Sequence, residues 1–155
     1  MTDNQKELSS PGKTLDIKAA LRECGFIVHG IKGVSMLPTL IEATDSVRLV
    51  PSDGIALRKY DIPLYTRRDG SLVLHRIIGR RKDGVWIIRG DNCLKKEYIP
   101  PERIIAVAEG YYRDGEYHPF SAPEAIKQAR LAVAGHTAVV MKSYARRLKN
   151  RLKRK

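Results

Sequence analysis

The sequence contains few cysteines and no long apolar run, and both absences exclude classes of protein. Its two cysteines, Cys24 and Cys93, lie far apart and have no metal-ligand spacing with the four histidines. We therefore interpret them as reduced structural thiols and predict neither a metal site nor a cofactor. The longest mostly apolar segment, LAVAGHTAVVM at 131–141, is shorter than the roughly 20 residues that span a bilayer. The opening residues, MTDNQKELSSPGK, lack the apolar segment of a secretory signal, so we expect a soluble, cytoplasmic protein.

Acidic residues are missing from the C-terminal end. The whole chain has a formal net charge of +12, and residues 142–155, KSYARRLKNRLKRK, contain eight basic residues and no acidic one. The main body is therefore only mildly basic. From residue 123 onward, apolar residues recur near helical spacing, with lysine and arginine on the other side. This pattern predicts a basic amphipathic helical tail at 121–155.

The tail predicts a partner of opposite charge. A basic amphipathic helix is typical of segments that lie on anionic membrane surfaces, where each basic residue contributes ~1 kcal/mol. We therefore expect peripheral association with the inner face of the membrane. Phosphate groups would attract the same charges, but no aromatic platform or nucleic-acid-binding motif accompanies the tail, so a nucleic acid is the weaker expectation. The oligomeric state is left open by the sequence.

The segment between the two ends predicts one mostly β domain at 14–120, behind a flexible segment at 1–13. A chain of 155 residues is long enough for one domain with appendages. TLDIKAALRECG has helical spacing, with Thr14 as a candidate N-cap and Gly25 as a stop. Beyond it, β-prone runs are separated by Asp-Gly dipeptides at 69–70, 83–84 and 114–115, which are typical of hairpin turns. The predicted fold class is α+β, mostly β, with a helix at each end.

Three polar residues could carry chemistry, although each alone has a structural explanation. Ser35 lies in GVSMLPTL, where Gly33 and Pro38 interrupt any helix; serine at such a bend is a turn former or a nucleophile. His75 lies in the alternating β run SLVLHRII, where a histidine among apolar residues is more often part of the core. Asp91 follows a strand in RGDNC, which favours a turn.

Taken together, these segments resemble the conserved boxes of a peptidase superfamily. GVSMLPTL resembles the Ser-Met-x-Pro-Thr-Leu box of type I signal peptidases and their relatives in the LexA superfamily. YDIPLYTRRDGSLVLHRIIG resembles the box that carries the general base, with His75-Arg76 as in the archaeal and endoplasmic-reticulum type. IIRGDNCLKKEY resembles the GDN box of that histidine type, in which Asp91 matches the acid and Glu97 stands near the place of a second acid. The resemblance runs from about residue 25 to 115, with three boxes in order.

The resemblance implies a serine endopeptidase with a signal-peptidase/LexA-like β fold. Ser35 would attack a peptide carbonyl, His75 would accept its proton, and Asp91 would hold the imidazole and raise its pKa. The backbone N–H of Ser35 would donate to the oxyanion. Gly33 occupies the place where many relatives have a second hydroxyl donor, and Met36 completes the box. The chain resembles the soluble members that have no membrane anchor.

Three other functions stay open. A catalytically silent peptidase fold could act as a binding module, although the intact serine, histidine and aspartate argue against it. Self-cleavage, as in LexA-type repressors, is disfavoured because only about thirty residues precede GVSM, too few for a DNA-binding domain. Those repressors also use lysine as the base, whereas His75 stands here. The third function would act through the basic tail alone. The sequence does not identify the peptide that is cleaved.

Overall fold

A computed structural model describes residues 11–135. Residues 1–10 and 136–155 lie outside the described part. Most of the predicted flexible segment at 1–13 and most of the predicted basic tail at 121–155 therefore lie outside it as well. Helix α1 covers Pro11–Cys24, so residues 11–13 of the predicted flexible segment are helical and Thr14 lies inside the helix rather than at its cap. Gly25 ends α1 as predicted: its φ is +76°, and its N–H donates to the Leu21 carbonyl at 2.9 Å.

Within residues 11–135 the β structure consists of nine strands in two antiparallel sheets. The strands are β1 (Ile27–Gly30), β2 (Ser46–Pro51), β3 (Pro63–Thr66), β4 (Leu72–Leu74), β5 (Arg76–Arg80), β6 (Trp86–Arg89), β7 (Glu97–Ile99), β8 (Ile104–Arg113) and β9 (Glu116–Pro119). The larger sheet has the order β1-β2-β8-β3-β4, with β9 also paired to β8, and the smaller has the order β5-β6-β7. The mostly β class is confirmed.

The Asp-Gly dipeptides form the turns that the sequence predicts. They join β3 to β4, β5 to β6 and β8 to β9. Gly70, Gly84 and Gly115 have φ of +83°, +89° and +83°, a left-handed conformation that costs glycine little. In the last turn Asp114 also has a positive φ, as a two-residue hairpin of type I′ requires.

The predicted strand through His75 is divided between the two sheets. β4 ends just before His75 and β5 begins just after it, so the histidine lies where the chain crosses from one sheet to the other. Val73 and Ile77 pack with the apolar cluster of the smaller sheet, whereas Leu72 and Leu74 pack with that of the larger one. The alternation predicted for this run therefore continues through the junction, and it buries His75 to 5% exposure.

The segment 31–45, which carries Ser35, is fixed to the larger sheet by two buried side chains and one ion pair. Met36 and Leu40 belong to the main apolar cluster, and burying each such side chain contributes about 1.5–3 kcal/mol. Asp45 accepts hydrogen bonds from Nε and Nη2 of Arg113 at 2.8 and 2.6 Å, and from the Ile41 N–H at 2.8 Å. Burial opposes ionisation of Asp45, but these hydrogen bonds outweigh it and lower its pKa.

The predicted C-terminal helix is present as far as it is described. Residues 123–135 form helix α2, which starts at a proline as expected. Ala129 is buried against the body, while Leu131 is exposed. In the part of the chain that the structure describes, no helix combines the length and the apolar content needed to cross a membrane. The basic residues at 142–155 lie outside that part.

Candidate active site

Ser35 lies at the edge of the turn segment between β1 and β2. Val34 before it is 58% exposed and Met36 after it is 3% exposed, so the chain passes from solvent to core at the serine, which is half-buried. Gly33 has a φ of +81°, a conformation that disfavours any residue with a Cβ. The predicted box residue Met36 therefore contributes packing, and Gly33 contributes the bend.

The loop after β6 holds the main chain of Ser35. The Asn92 N–H donates to the Ser35 carbonyl at 2.8 Å, and its side-chain amide donates to the Val34 carbonyl at 3.1 Å. A Cβ on Gly90 would lie 2.6 Å from the Ser35 carbonyl oxygen and 3.0 Å from Nε2 of His75. Only glycine fits at this position, because the Ser35 main chain and the His75 ring both abut it.

Nδ1 of His75 faces a carboxylate and a hydroxyl group. Oε1 of Glu97 lies 3.3 Å from Nδ1, and the Tyr65 hydroxyl lies 3.2 Å from it. Tyr65 also donates to the same Oε1 at 2.9 Å. A tyrosine hydroxyl has one proton, and here that proton goes to Glu97, so Nδ1 carries the proton of the neutral imidazole. Nε2 is then the unprotonated nitrogen, and it is the one that abuts Gly90.

Glu97 is held in its ionised form. Arg67 donates to it through Nε and Nη2, both at 2.7 Å. Burial acts to raise the pKa of Glu97, but the hydrogen bonds from Arg67 and Tyr65 outweigh burial and lower it. Burial and the Glu97 charge raise the pKa of Tyr65, so its hydroxyl remains a donor. The two neighbours of Nδ1 thus keep fixed protonation states.

The pKa of His75 is lowered, which corrects the expectation that a carboxylate would raise it. Burial is the main cause, because the charged imidazolium loses hydration. Glu97 acts in the opposite direction without overcoming burial, and Arg67 reinforces the lowering. His75 is therefore neutral at neutral pH, the form in which an imidazole can accept a proton.

Asp91 does not make the predicted contact with His75. It accepts hydrogen bonds from Nε and Nη2 of Arg76 at 2.8 and 2.7 Å and from the Thr39 hydroxyl at 2.6 Å. Arg76 follows His75 in the chain and binds this carboxylate in bidentate geometry, on the side of the Thr39 segment. Asp91 thus ties β5 to the Ser35 segment, and the contact expected of it belongs to Glu97, the predicted second acid.

The Ser35 main chain and the His75 ring both abut Gly90, but no hydrogen bond joins the Ser35 and His75 side chains. Among residues 11–135, Ser35 Oγ has no hydrogen bond within 3.5 Å to His75 or to any other group, and the Ser35 N–H has no acceptor. Catalytic hydrogen bonds often form only when the substrate is bound. The Glu97 carboxylate thus contacts Nδ1 of a neutral His75, while the Ser35 hydroxyl is without a hydrogen bond.

Sequence reasoning missed Tyr65, Arg67 and Thr39. Tyr65 lies on β3 and Arg67 directly follows that strand, so the two side chains, two residues apart, point the same way and both contact Glu97. That spacing is visible in YTRRDG and could have suggested a partner for an acid. Thr39 gave no such signal, because its contact with Asp91 joins residues 52 positions apart.

Neither cysteine competes with Ser35 as a nucleophile. Both are free thiols; Cys24 is exposed on α1, and Cys93 is partly buried with Sγ 3.9 Å from the Ser35 carbonyl oxygen. Burial, with Glu97 second, raises the pKa of the Cys93 thiol, so it stays protonated. Within the described ranges, no group of three or more His, Cys, Asp or Glu side chains could hold a metal ion.

The comparisons with known proteins add no relative. No family model, no curated protein and no solved structure matches the chain. The geometry around His75 and the order of the three sequence boxes are therefore the basis for a function.

Proposed function

We propose that the protein is a serine endopeptidase of the signal-peptidase/LexA type, with Ser35 as nucleophile, His75 as general base and Glu97 as the residue that orients the base. The observation that carries this proposal is the environment of His75. Its Nδ1 faces a carboxylate held by Arg67, and its Nε2 is free toward the Ser35 segment. The three boxes and the mostly β fold support the same assignment.

The proposed reaction is acyl transfer through Ser35. As a peptide carbonyl binds, Ser35 Oγ moves within hydrogen-bond distance of Nε2, transfers its proton there and forms a bond to the carbonyl carbon. The imidazolium, stabilised by Glu97, then gives that proton to the leaving amine as the peptide C–N bond breaks. Water, deprotonated by His75, hydrolyses the acyl-enzyme and restores the serine.

The developing oxyanion needs donors, and the main chain supplies the first. The Ser35 N–H has no acceptor among the described residues, so it is free to donate to the substrate oxygen. Position 33 is a glycine and provides no hydroxyl group. The proposed oxyanion site is therefore a main-chain site at the bend, in contrast to relatives with a second hydroxyl.

The C-terminal residues suggest where this peptidase works. The basic residues at 142–155 would be attracted to anionic lipid headgroups, which would bring a peptidase in the cytoplasm to substrates at the inner membrane surface. This localisation is a proposal from sequence. Co-sedimentation with anionic and neutral vesicles, with a chain that ends after Ala122 as the comparison, tests it.

A proteome-derived peptide library tests the peptidase itself. Full-length wild type, Ser35→Ala and Ser121→Ala are incubated with the library, and new peptide ends are identified by mass spectrometry. Ser121 is an exposed serine between β9 and α2 and serves as the matched control. We expect the same cleavage sites with wild type and Ser121→Ala and none with Ser35→Ala. Cleavage that persists in Ser35→Ala contradicts the proposal, and a folded wild type that cleaves nothing favours the binding module.

A further inference from the structure

One of the arginines around the site has no counter-charge. Arg67 is paired with Glu97 and Arg76 with Asp91. Arg89 is only 5% exposed, its Nε is buried without a hydrogen-bond partner, and within residues 11–135 its side chain makes no hydrogen bond or ion pair.

Arg89 lies beside the proposed catalytic groups. It is the last residue of β6 and is directly paired with Arg76 on β5, so the two side chains project from the same side of the smaller sheet. The next residue, Gly90, abuts both Nε2 of His75 and the Ser35 carbonyl. The Arg89 charge also acts on the Cys93 thiol, whose Sγ lies 3.9 Å from the Ser35 carbonyl oxygen, so the guanidinium lies near the Ser35 segment.

The part of the chain that the structure describes offers the Arg89 side chain no acceptor. Asp91 is the nearest source of negative charge, but two nitrogens of Arg76 and the Thr39 hydroxyl already occupy its oxygens. Burial lowers the pKa of Arg89, and Asp91 only partly opposes this. A buried cation without an acceptor is costly, and a like charge directly across the strand pair adds to the cost. A bound ligand with an anionic group would supply the missing acceptor.

We propose that Arg89 binds a carboxylate of the peptide substrate close to the cleaved bond. A planar guanidinium matches a carboxylate through two parallel hydrogen bonds, and the unpartnered Nε supplies one of the two donors. The carboxylate belongs either to an acidic side chain or to the C-terminus of the peptide. The inference rests on the proposed peptidase function of the same site, and it makes acidic peptides the preferred substrates.

A titration that requires no cleavage tests the carboxylate site. The Nε–H resonance of Arg89 in full-length Ser35→Ala is identified by its loss in Ser35→Ala/Arg89→Met and followed by NMR. The probes are N-acetylglutamate amide for a side-chain carboxylate, N-acetylalanine for a terminal one, and N-acetylglutamine amide as the neutral control. We expect a saturable shift with one of the two carboxylates, a negligible shift with the neutral probe, and none at the exposed Arg22. An equal response to all three probes, or no saturation, overturns the inference.

A second test of the carboxylate site measures peptide cleavage. Wild type and Arg89→Met are compared on the peptide library and on one cleaved peptide whose acidic residue is replaced by its amide. We expect Arg89→Met to lose at least about tenfold in kcat/KM on the acidic peptide and little on the amide, since only the acidic peptide forms a charged, hydrogen-bonded pair with Arg89. An unchanged acid preference, or none in wild type, contradicts the proposal. If wild type cleaves nothing, the peptidase assignment fails, and the NMR titration alone decides the carboxylate site.

Discussion

The two arginine–carboxylate pairs on either side of His75 have the same bonding and different surroundings. Arg76 donates twice to Asp91 at 2.8 and 2.7 Å, and Arg67 donates twice to Glu97 at 2.7 Å. The side chains of the first pair are each 3% exposed, whereas those of the second are 39% and 17% exposed. Within residues 11–135 the first pair also bonds to Thr39 and to the Tyr60 carbonyl, while Glu97 reaches Tyr65 and the imidazole.

The difference shows that the remaining contacts of a carboxylate determine its role. The hydrogen bonds of Asp91 go to Arg76 and Thr39 and not to His75. Glu97 directs Oε1 to Tyr65 and to Nδ1, and through them it sets the tautomer of His75. We therefore interpret the first pair as a lock between two parts of the fold and the second as part of the catalytic machinery.

The largest expected effect is on stability and comes from breaking the first pair. Arg76→Met leaves Asp91 buried and unpaired, and removal of one partner from such a pair costs about 3–5 kcal/mol. Arg67→Met removes a partner that is more than a third exposed, so we expect about 1 kcal/mol or less. Urea unfolding of both variants measures the two costs. Equal losses would contradict the contrast between the pairs.

The next largest expected effect is on kcat, and it distinguishes Glu97 from Asp91. Glu97→Gln presents an amide that can donate to Nδ1, which places the imidazole proton on Nε2 and disables the base. We expect kcat to fall about 10²–10⁴-fold, in the range of comparable catalytic-acid replacements, with the folded structure retained. Asp91→Asn should lose stability first, so its remaining folded fraction should keep near-normal kcat. Activity per folded molecule, from kcat and circular dichroism together, distinguishes the two.

A smaller loss of kcat is expected from a change at Gly90, where the Ser35 segment meets the His75 ring. In Gly90→Ala, the added Cβ would press on the Ser35 carbonyl oxygen and on Nε2 of His75. A misplacement of about 1 Å between reacting groups can cost about 10²-fold, so we expect a fall of that size in kcat. Gly135→Ala is the matched control, because nothing lies within 4 Å of a Cβ there. A normal kcat in Gly90→Ala would show that the loop does not set the geometry.

Much of the fold could be predicted from the sequence, but the roles of Asp91 and Glu97 could not. Alternation and the Asp-Gly turns were sufficient for most of the strands and for the burial of His75, because these signals are local, but not for β7 or for the division of the strand at His75. The choice between Asp91 and Glu97 depended on where Arg67 and Arg76 point, and those contacts join residues 30 and 15 positions apart. The lowered pKa of His75 was missed because burial, which outweighs the carboxylate, arises only when the two sheets meet.

The smallest expected effect is the pH dependence of stability. The folded pKa of His75 is below the unfolded value of 6.5, so below that pH the unfolded chain binds a proton that the folded chain resists. Stability should therefore fall as pH drops through 6.5, and His75→Gln should weaken this dependence. The pKa of Glu97 is lowered from 4.5, so the contribution of Glu97 to stability changes only below that pH. Melting temperatures between about pH 5 and about pH 7.5 therefore measure the contribution of His75 without that of Glu97. His29→Gln, on edge strand β1, serves as the control and should follow wild type.

The central claim, that His75 activates Ser35, is tested most directly by covalent labelling with a fluorophosphonate at about pH 7.5, a pH at which a neutral imidazole can act as base. Intact-mass measurement and peptide mapping are applied to wild type, Ser35→Ala, Ser121→Ala and His75→Gln. The account predicts one adduct, on Ser35, formed equally in Ser121→Ala, absent in Ser35→Ala and slowed at least about 10²-fold in His75→Gln. An adduct on another residue, or an unchanged labelling rate in His75→Gln, would contradict it.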